Sequence, residues 1–295
     1  MFKIITDGSC DLTSQYIQQH DLINVPFSIS FGEEFNKKEG VELKVADFYR
    51  KMIANPKVFP KTSTPSIGDY LTAMEPELQR GFDLIVICIT SKFSGSYNAA
   101  CNARDMLADK YANRIEVIDS QVNTVLQGLV VKQLVKMRDS GKSLDELLDY
   151  LDGSLDSGRI YFTIGSMDYL VAGGRVGRLS SIGASLLSIK PIICLKEGEI
   201  FNEGLKRGRK KAAGAVIEKT ISHFCEHNLN IGEYDFVIGY GYDREEAEYF
   251  RDQLVDSIKT VLNFEIQIPE IEQIGATIAV HTGPYPLGVA FIKKA

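Results

Sequence analysis

The sequence lacks features that would direct it to a membrane, an oxidising compartment or nucleic acid. No apolar stretch approaches the roughly 18 residues that a membrane-spanning helix requires. The five cysteines are scattered and form no CxxC pair, so we expect them to be reduced. A net charge of −6 argues against nucleic acid as the main partner. The first residues, MFKIITDGS, enter a strand directly, so we expect no signal peptide and a cytoplasmic protein.

Common nucleotide-binding signatures are also missing. The tripeptide at 141–143 reads GKS, but Lys136 stands where a P-loop requires glycine. A dinucleotide-binding fingerprint needs its glycines directly after a strand in GxGxxG spacing, which is not the spacing of Gly173, Gly174 and Gly177. The sequence therefore gives no support to a nucleotide as the ligand.

The sequence motifs typical of hydrolases and metalloenzymes are also absent. Ser94 precedes a glycine, but position 92 is lysine, so there is no GxSxG nucleophile elbow. His223 and His227 are four residues apart on a predicted helix, without HExxH context or a visible third ligand. We therefore interpret the two histidines as part of a surface helix end and predict no metal site.

The chain does contain alternating strand and helix patterns, as expected for an α/β protein. Apolar runs predict strands at 2–5, 22–31, 84–89, 114–118, 159–164, 191–195, 199–202, 235–240, 264–268 and 287–292. Helical periodicity predicts helices at 13–20, 45–53, 67–79, 97–107, 125–137, 144–155, 166–171, 180–188, 207–224, 244–262 and 273–281. Residues 32–40 suggest a surface loop or hairpin, and 60–66 an extended loop.

The order of these elements predicts two domains. Residues 1–158 alternate strand and helix, which indicates a doubly wound, mainly parallel sheet. Residues 159–295 combine hairpins with helical connections, which indicates a mixed-sheet α/β domain.

Three strand-to-helix junctions of the first half carry Asp or Ser, namely Asp7/Ser9, Ser94/Ser96 and Asp119/Ser120. In a doubly wound sheet such junctions meet at the carboxyl edge of the strands, where ligands bind. The turn at 90–96, between a buried strand and a helix, predicts an anion site because free N–H groups and the helix dipole point there.

Four polar clusters remain as candidate site residues: Thr62-Ser63, Ser94-Gly95-Ser96, Arg175 with Arg178, and His281 in HTGP. Each also has an ordinary structural interpretation. The first pair suits any loop, Ser94 suits a helix cap, Arg175 suits a solvated loop and His281 suits a helix end.

Taken together, the segments ITDGSCDL, TSTPS, ITSKFSGSYNAA, VIDS, MDYLVAGGRVGR and HTGPYPLG resemble the DegV family of fatty-acid-binding proteins. That family includes the FakB subunits of a bacterial fatty acid kinase system. The resemblance implies two α/β domains with a long-chain fatty acid between them and no further cofactor. It also implies a non-enzymatic carrier, which presents the carboxylate to a partner kinase so that acyl phosphate can feed phospholipid synthesis.

The resemblance also implies roles for single residues. The hydroxyls of Thr62 and Ser94 hold the carboxylate, helped by the N–H of Gly95, while Arg175 and His281 lie near the head group and face the kinase. The chain reads GGRVGR where many members have GGRIS or GGRLS, which puts the assignment of Arg178 in question. Residues 185–189 are candidates to line the tail tunnel.

Two matters stay open at this point. A basic run (Lys206, Arg207, Arg209, Lys210 and Lys211) is either a solvated helix start or a patch that transiently meets anionic lipid or the kinase. The alternative function is an acyl-transfer or hydrolytic enzyme with Ser94 as nucleophile and His281 as base, although no third orienting group is visible.

Overall fold

A computed structural model describes residues 1–179, 189–268 and 271–295. The predicted helix at 180–188 lies outside the described residues, and so do the tunnel candidates 185–188. The side chain of Arg178 is likewise not described.

Within the described residues, strands and helices alternate along most of the chain. The strands are β1 Phe2–Asp7, β2 Ile23–Val25, β3 Ser28–Phe31, β4 Glu34–Lys38, β5 Lys61–Ser63, β6 Asp83–Cys88, β7 Ile115–Asp119, β8 Arg159–Thr163, β9 Ile189–Lys196, β10 Glu199–Arg207, β11 Tyr234–Tyr240, β12 Ile271–Gln273 and β13 Leu287–Lys293. The helices are α1 Ser14–Gln19, α2 Val45–Ala54, α3 Ile67–Gln79, α4 Ser96–Ala108, α5 Thr124–Asp139, α6 Leu144–Ser154, α7 Asp168–Ala172, α8 Arg209–Glu226, α9 Arg244–Leu262 and α10 Ala276–Thr282.

Two sheets account for the α/β fold that the sequence predicts. The first has four parallel strands in the order β2-β1-β6-β7. The second has six strands in the order β10-β9-β8-β13-β11-β12 and is mixed, because only the β11–β12 pair is parallel. The predicted fold class is confirmed, while the division at 158/159 stays a prediction.

A third, antiparallel sheet was not predicted. It has the order β4-β3-β5 and arises because the predicted strand 22–31 is wrong as a single element. Pro26 lacks an N–H and separates β2, which joins the parallel sheet, from β3, which joins the small one. Residues 32–40, predicted as a surface loop or hairpin, contain β4, which forms a hairpin with β3, and the predicted extended loop at 60–66 contributes β5.

Three further predictions need correction. Residues 264–268 form no strand; the side chain of Phe264 packs on the second core, but the main chain enters the sheet only at β12. The last helix, predicted to begin at residue 273, begins at Ala276, because Gln273 belongs to β12 and pairs with Tyr240 of β11. The helix predicted at 207–224 begins at Arg209, so the basic run is divided between two elements. Lys206 and Arg207 end β10, whereas Arg209, Lys210 and Lys211 begin α8.

Helix α5 connects the two larger sheets. Its residues from Thr124 to Val135 are all buried, as expected for a helix that is covered on every side. Leu126 and Val130 share one apolar core with Ile87 of β6 and with Ile160 and Ile292 of the mixed sheet. The space beside α5, between the sheets, is where the candidate site lies.

Candidate functional site

The carboxyl edge of the parallel sheet is organised by the buried carboxylate of Asp7 at the end of β1. Its Oδ2 accepts from Ile89 N at 2.9 Å and from Ser96 Oγ at 2.7 Å. Its Oδ1 accepts from Ser9 Oγ at 2.6 Å and from Gln127 Nε2 at 3.0 Å. These bonds connect the ends of β1 and β6 to the start of α4, where the strand order reverses direction.

The junction after β7 joins the same edge. Asp119 Oδ1 accepts from Ser91 N at 3.1 Å, and Ser120 N donates to Cys88 O at 3.1 Å. The three predicted junctions therefore do come together. Asp7 and Asp119 accept hydrogen bonds from Ser96 and Ser91 and so hold the two ends of the 90–96 turn, which gives these residues a role in shaping the site.

Ser94 remains at the surface of this turn with its hydroxyl half-buried. Ser94 Oγ accepts from Ser96 N at 3.2 Å, so the ordinary capping interpretation holds in part. Ser94 Oγ also lies 3.3 Å from the hydroxyl of Thr64, on the chain just after β5. Gly95 is the N-cap of α4, and the space beside its Cα is open.

A cavity that opens to solvent lies between the parallel sheet and the mixed sheet, and its empty volume of about 950 Å³ includes the space at the opening. Most of its wall is apolar and comes from both halves of the chain, including Ile89, Phe93, Ile160, Leu195, Ile200 and Ile278. Thr62, Ser94, Arg175 and His281, four of the predicted site residues, also line it, whereas Gly95 does not.

The contact between Thr62 and His281 brings residues from the two halves together. Thr62 Oγ1 lies 3.5 Å from His281 Nε2. Thr62 is held by β5, which pairs with β3 at Ile29, and His281 lies in the last turn of α10. The strand and the helix thus place a hydroxyl and an imidazole at the same side of the cavity.

His281 is held in its neutral form. Burial lowers its pKa from the ordinary 6.5 to about 4, and the nearby positive charge of Arg175 acts in the same direction. Its Nδ1 is buried and has no hydrogen-bond partner among the described residues. This atom faces Gly173, where any side chain would overlap the ring, so glycine at 173 is required for the ring position.

Arg175 connects the two loops at the cavity mouth. Its Nε and Nη2 each donate to Phe93 O at 3.2 Å, and its Nη1 donates to Gly173 O at 2.7 Å. The side chain is exposed, and a guanidinium has five N–H donors, so donors remain for a ligand. Arg175 is therefore exposed but is also bonded to the main chain, so it is not the purely solvated loop residue of the ordinary interpretation.

Three threonines in or near the site were missed. Thr64 belongs to the TSTPS segment, and its contact with Ser94 follows from the two-residue repeat that puts it on the same strand face as Thr62. Thr124 and Thr277 line the cavity and are buried. No motif signals them, because their role depends on acids that are distant in sequence.

Those acids are Asp11 and Glu39. Thr124 Oγ1 donates to Asp11 Oδ2, and Thr277 Oγ1 donates to Glu39 Oε2 at 2.5 Å. Glu39 also accepts from the N–H groups of Ala276 and Thr277 at the start of α10. Burial raises the pKa of both carboxyl groups, and each threonine hydroxyl is fixed by the acid behind it.

The prediction of a surface helix end at His223 and His227 is wrong for His223. Its ring is buried and packs on Phe224 and Phe291, with centroids at 5.8 and 5.4 Å. His223 Nδ1 lies 3.4 Å from the hydroxyl of Tyr161. Burial lowers its pKa to about 4, so this residue is a neutral core histidine.

The residues in the described ranges contain no cluster of His, Cys, Asp and Glu side chains suited to a metal ion. Among the same residues, no helix is both long enough and apolar enough to span a bilayer. All five cysteines are unpaired.

Comparisons with known proteins agree on the family and the fold. A sequence profile described as "Uncharacterised protein, DegV family" matches residues 1–294. A DegV domain-containing protein of Caldanaerobacter subterraneus subsp. tengcongensis is 32% identical, over 99% of this chain and 98% of that protein.

Solved structures provide the second comparison. A stearic-acid-binding protein from Eubacterium ventriosum superposes with a TM-score of 0.92 at 38% identity, covering 100% of this chain and 99% of the other. A DegV family protein from Eubacterium eligens, loaded with heptadecanoic acid, has a TM-score of 0.79 at 20% identity, with full coverage of both chains. At that identity the second likeness concerns the fold alone.

Proposed function

This chain belongs to the DegV family, and from that premise we propose that it binds a long-chain fatty acid. The acyl tail occupies the cavity between the two larger sheets, and the carboxylate is held at Thr62 and Ser94. The observation that carries this proposal is the composition of the cavity, whose wall is mostly apolar and also presents the paired groups Thr62 with His281 and Thr64 with Ser94.

The tail supplies most of the binding free energy. About 15 methylenes at ~0.8 kcal/mol each give on the order of 12 kcal/mol of apolar burial, before the cost of association. A charge-assisted hydrogen bond to the carboxylate adds only about 1.5–3 kcal/mol. The hydroxyls therefore set the orientation of the ligand more than its affinity.

The head-group side combines donors of several kinds. Thr62 and Ser94 offer hydroxyls, and the start of α4 at Gly95, which does not itself line the cavity, adds a dipole end that favours negative charge. Arg175 brings a permanent positive charge to the mouth. His281 is neutral without ligand, and a carboxylate beside it would favour its protonated form.

We further propose that the protein presents this carboxylate to a fatty acid kinase in the cytoplasm and carries the acyl phosphate towards phospholipid synthesis. The exposure of Arg175 at the mouth supports a partner-facing role for that residue, and for His281 the role is proposed from its place beside Thr62. In the basic run, Arg209 is paired with Glu246 at 2.7 Å through both Nε and Nη2. Only Lys206, Arg207, Lys210 and Lys211 are left exposed for a kinase or a membrane surface.

The alternative, an enzyme with Ser94 as nucleophile, is less well supported by the geometry. Within the described residues no hydrogen bond joins Ser94 to His281, and the hydroxyl that His281 Nε2 contacts, at 3.5 Å, is that of Thr62. The Nδ1 of His281 also lacks the orienting acceptor that a catalytic triad supplies. We therefore propose a carrier without activity of its own.

Mass spectrometry of the organic extract from purified protein tests the proposal. We expect a long-chain fatty acid in stoichiometric amount, and repeated preparations without one, after incubation with a fatty acid mixture, would contradict it. Incubating the protein and its Ser94→Ala variant with acyl esters tests the alternative. Turnover by the native protein that the variant loses would favour the enzyme.

A further inference from the structure

The small antiparallel sheet (β4-β3-β5) and the residue that follows β4 contact α10 at both ends of that helix. At the start of α10, the carboxyl group of Glu39 accepts from Ala276 N and, at 2.8 Å, from Thr277 N. At the end of α10, Thr62 of β5 lies 3.5 Å from His281. The same part of the chain thus binds the first turn of the helix and meets the imidazole that the last turn carries.

The main chain of Glu39 is fixed relative to Thr62 by hydrogen bonds. Glu39 N donates to Phe27 O at 3.1 Å, directly before β3, and Glu39 forms an isolated bridge with Leu43. Strand β3 in turn pairs with β5, where Ile29 is the partner of Thr62. Strand pairing therefore sets how far the buried carboxyl group of Glu39 lies from the hydroxyl of Thr62.

Further contacts keep the side of α10 against this unit. The hydroxyl of Tyr49 in α2 donates to Ile274 O at 2.8 Å, two residues before the helix begins. Ala279 and Val280 of α10 share a buried apolar core with Ile29 of β3. The helix is therefore packed along one side, while Glu39 binds the N–H groups of its first turn.

A glycine allows the carboxyl group of Glu39 to come this close. A Cβ at Gly275 would lie 2.5 Å from Glu39 Oε1 and 2.7 Å from Asp11 Oδ1, so a side chain there would displace the acid from the first turn of α10. The hydrogen bonds of Glu39 to α10 thus depend on a close approach between two residues from different halves of the chain.

We propose that Glu39 is a positioning residue of the carboxylate site, which sets the distance between His281 and Thr62 by holding the first turn of α10. The inference rests on the proposed function, because it concerns how the head group of the same ligand is bound. His281 follows Thr277 by four residues, about 6 Å along the axis of a seven-residue helix. In so short a helix, a displaced first turn displaces the imidazole as well.

Glu39 acts through the helix rather than on the ligand. Its Oε2 also accepts from Thr277 Oγ1 at 2.5 Å, and Thr277 lines the cavity. Glu39 lies behind that threonine and is not among the described residues that line the cavity. Its removal should therefore weaken recognition of the carboxylate more than burial of the acyl tail.

The test compares hexadecanoic acid with hexadecan-1-ol, which has the same chain but no carboxylate. Delipidated native protein should bind the acid about tenfold or more tightly than the alcohol, the equivalent of one charge-assisted hydrogen bond. Glu39→Gln replaces one acceptor oxygen by an amide donor that faces N–H groups. We expect the preference for the acid to fall about fivefold or more in this variant, with affinity for the alcohol close to the native value.

Two further variants separate positioning from general stability. Glu146→Gln is the matched control, because Glu146 accepts from Ser143 N at the start of α6 and should keep the native preference when it is changed. Glu39→Gln combined with Thr62→Val should lose little more of the preference than Thr62→Val alone, since both changes affect one pair. Fully additive losses would contradict the action of Glu39 through that pair.

An unchanged preference for the acid in Glu39→Gln, or an equal loss of affinity for acid and alcohol, would overturn the inference while leaving fatty acid binding intact. Native protein that binds neither compound would overturn the proposed function and, with it, this inference. Should Glu39→Gln not fold, Thr277→Val decides, because it removes only the hydroxyl that donates to Glu39. A reduced preference in that variant supports the inference, and a native preference overturns it.

Discussion

Thr62 and His281 are 219 positions apart in the chain, and Oγ1 of the first lies 3.5 Å from Nε2 of the second. The pair joins β5 to α10 at the proposed carboxylate site. Thr62→Val keeps the β-branched shape but removes the donor, so we expect fatty acid affinity to fall about tenfold or more, the equivalent of one charge-assisted hydrogen bond. Titration of delipidated protein with hexadecanoic acid measures the change.

Thr72→Val is the matched control for that variant. Thr72 lies on α3 and its hydroxyl donates only to Gly68 O at 2.8 Å, away from the cavity. Equal loss of affinity in both variants would show that Thr62 acts through general stability. If Thr62→Val bound hexadecanoic acid with native affinity, Thr62 would not be part of the carboxylate site.

Gly173 is required by its contact with His281. A Cβ at 173 would overlap the imidazole, so Gly173→Ala should destabilise the fold by about 1–3 kcal/mol through overpacking and weaken fatty acid binding. Gly214→Ala, in the middle of α8 with open space around it, should instead stabilise by about 0.5–1 kcal/mol. Urea unfolding of both variants decides, and equal stabilities would refute the overlap.

The depressed pKa of His281 predicts a pH dependence of stability. Protonation favours the unfolded chain, because the pKa is about 4 when folded and 6.5 ordinarily. The contribution is therefore fully present above pH 6.5 and is lost as the pH falls towards 4; it amounts to about 1–3 kcal/mol. The difference in urea unfolding between the native protein and His281→Gln, measured from pH 7 to 4.5, should shrink in this window.

Ligand binding changes the same equilibrium in the opposite direction. A carboxylate beside His281 favours the imidazolium, so fatty acid binding near pH 5.5 should take up protons. Calorimetry in buffers of different ionisation enthalpy measures the uptake. Identical uptake in His281→Gln would assign the protons to another group.

Asp7 is predicted to be essential for the shape of the carboxyl edge. Its carboxylate accepts from five N–H and O–H groups, so Asp7→Asn would point an amide donor at other donors and cost on the order of 2–4 kcal/mol. The matched exposed variant, Asp105→Asn, should cost less than about 0.5 kcal/mol. Denaturant unfolding separates the two, and similar costs would contradict the role of Asp7.

Local signals predicted most of the fold. The capping boxes of Ser66 with Asp69 and of Ser143 with Glu146 are formed as the sequence indicates. Alternation of apolar strands with helices gave the parallel sheet. The failures involve proline and sheet pairing. Pro26 sends two halves of one apolar run to different sheets, and residues 264–268 have strand periodicity without a neighbouring strand to pair with.

The part of the candidate site that lies in short sequence motifs could be predicted. Thr62, Ser94, Arg175 and His281 line one cavity, as the resemblance led us to expect. Their roles in binding stay predictions. The buried pairs of Thr124 with Asp11 and Thr277 with Glu39 join residues more than a hundred positions apart, and no local pattern encodes such contacts.

A crystal structure of the delipidated protein reloaded with hexadecanoic acid tests the central claim most directly. The account predicts a carboxylate within hydrogen-bond distance of Thr62 Oγ1 and Ser94 Oγ, and an acyl tail inside the cavity between the two larger sheets. A tail outside the cavity, or a carboxylate at the Thr124 and Thr277 end, would contradict it.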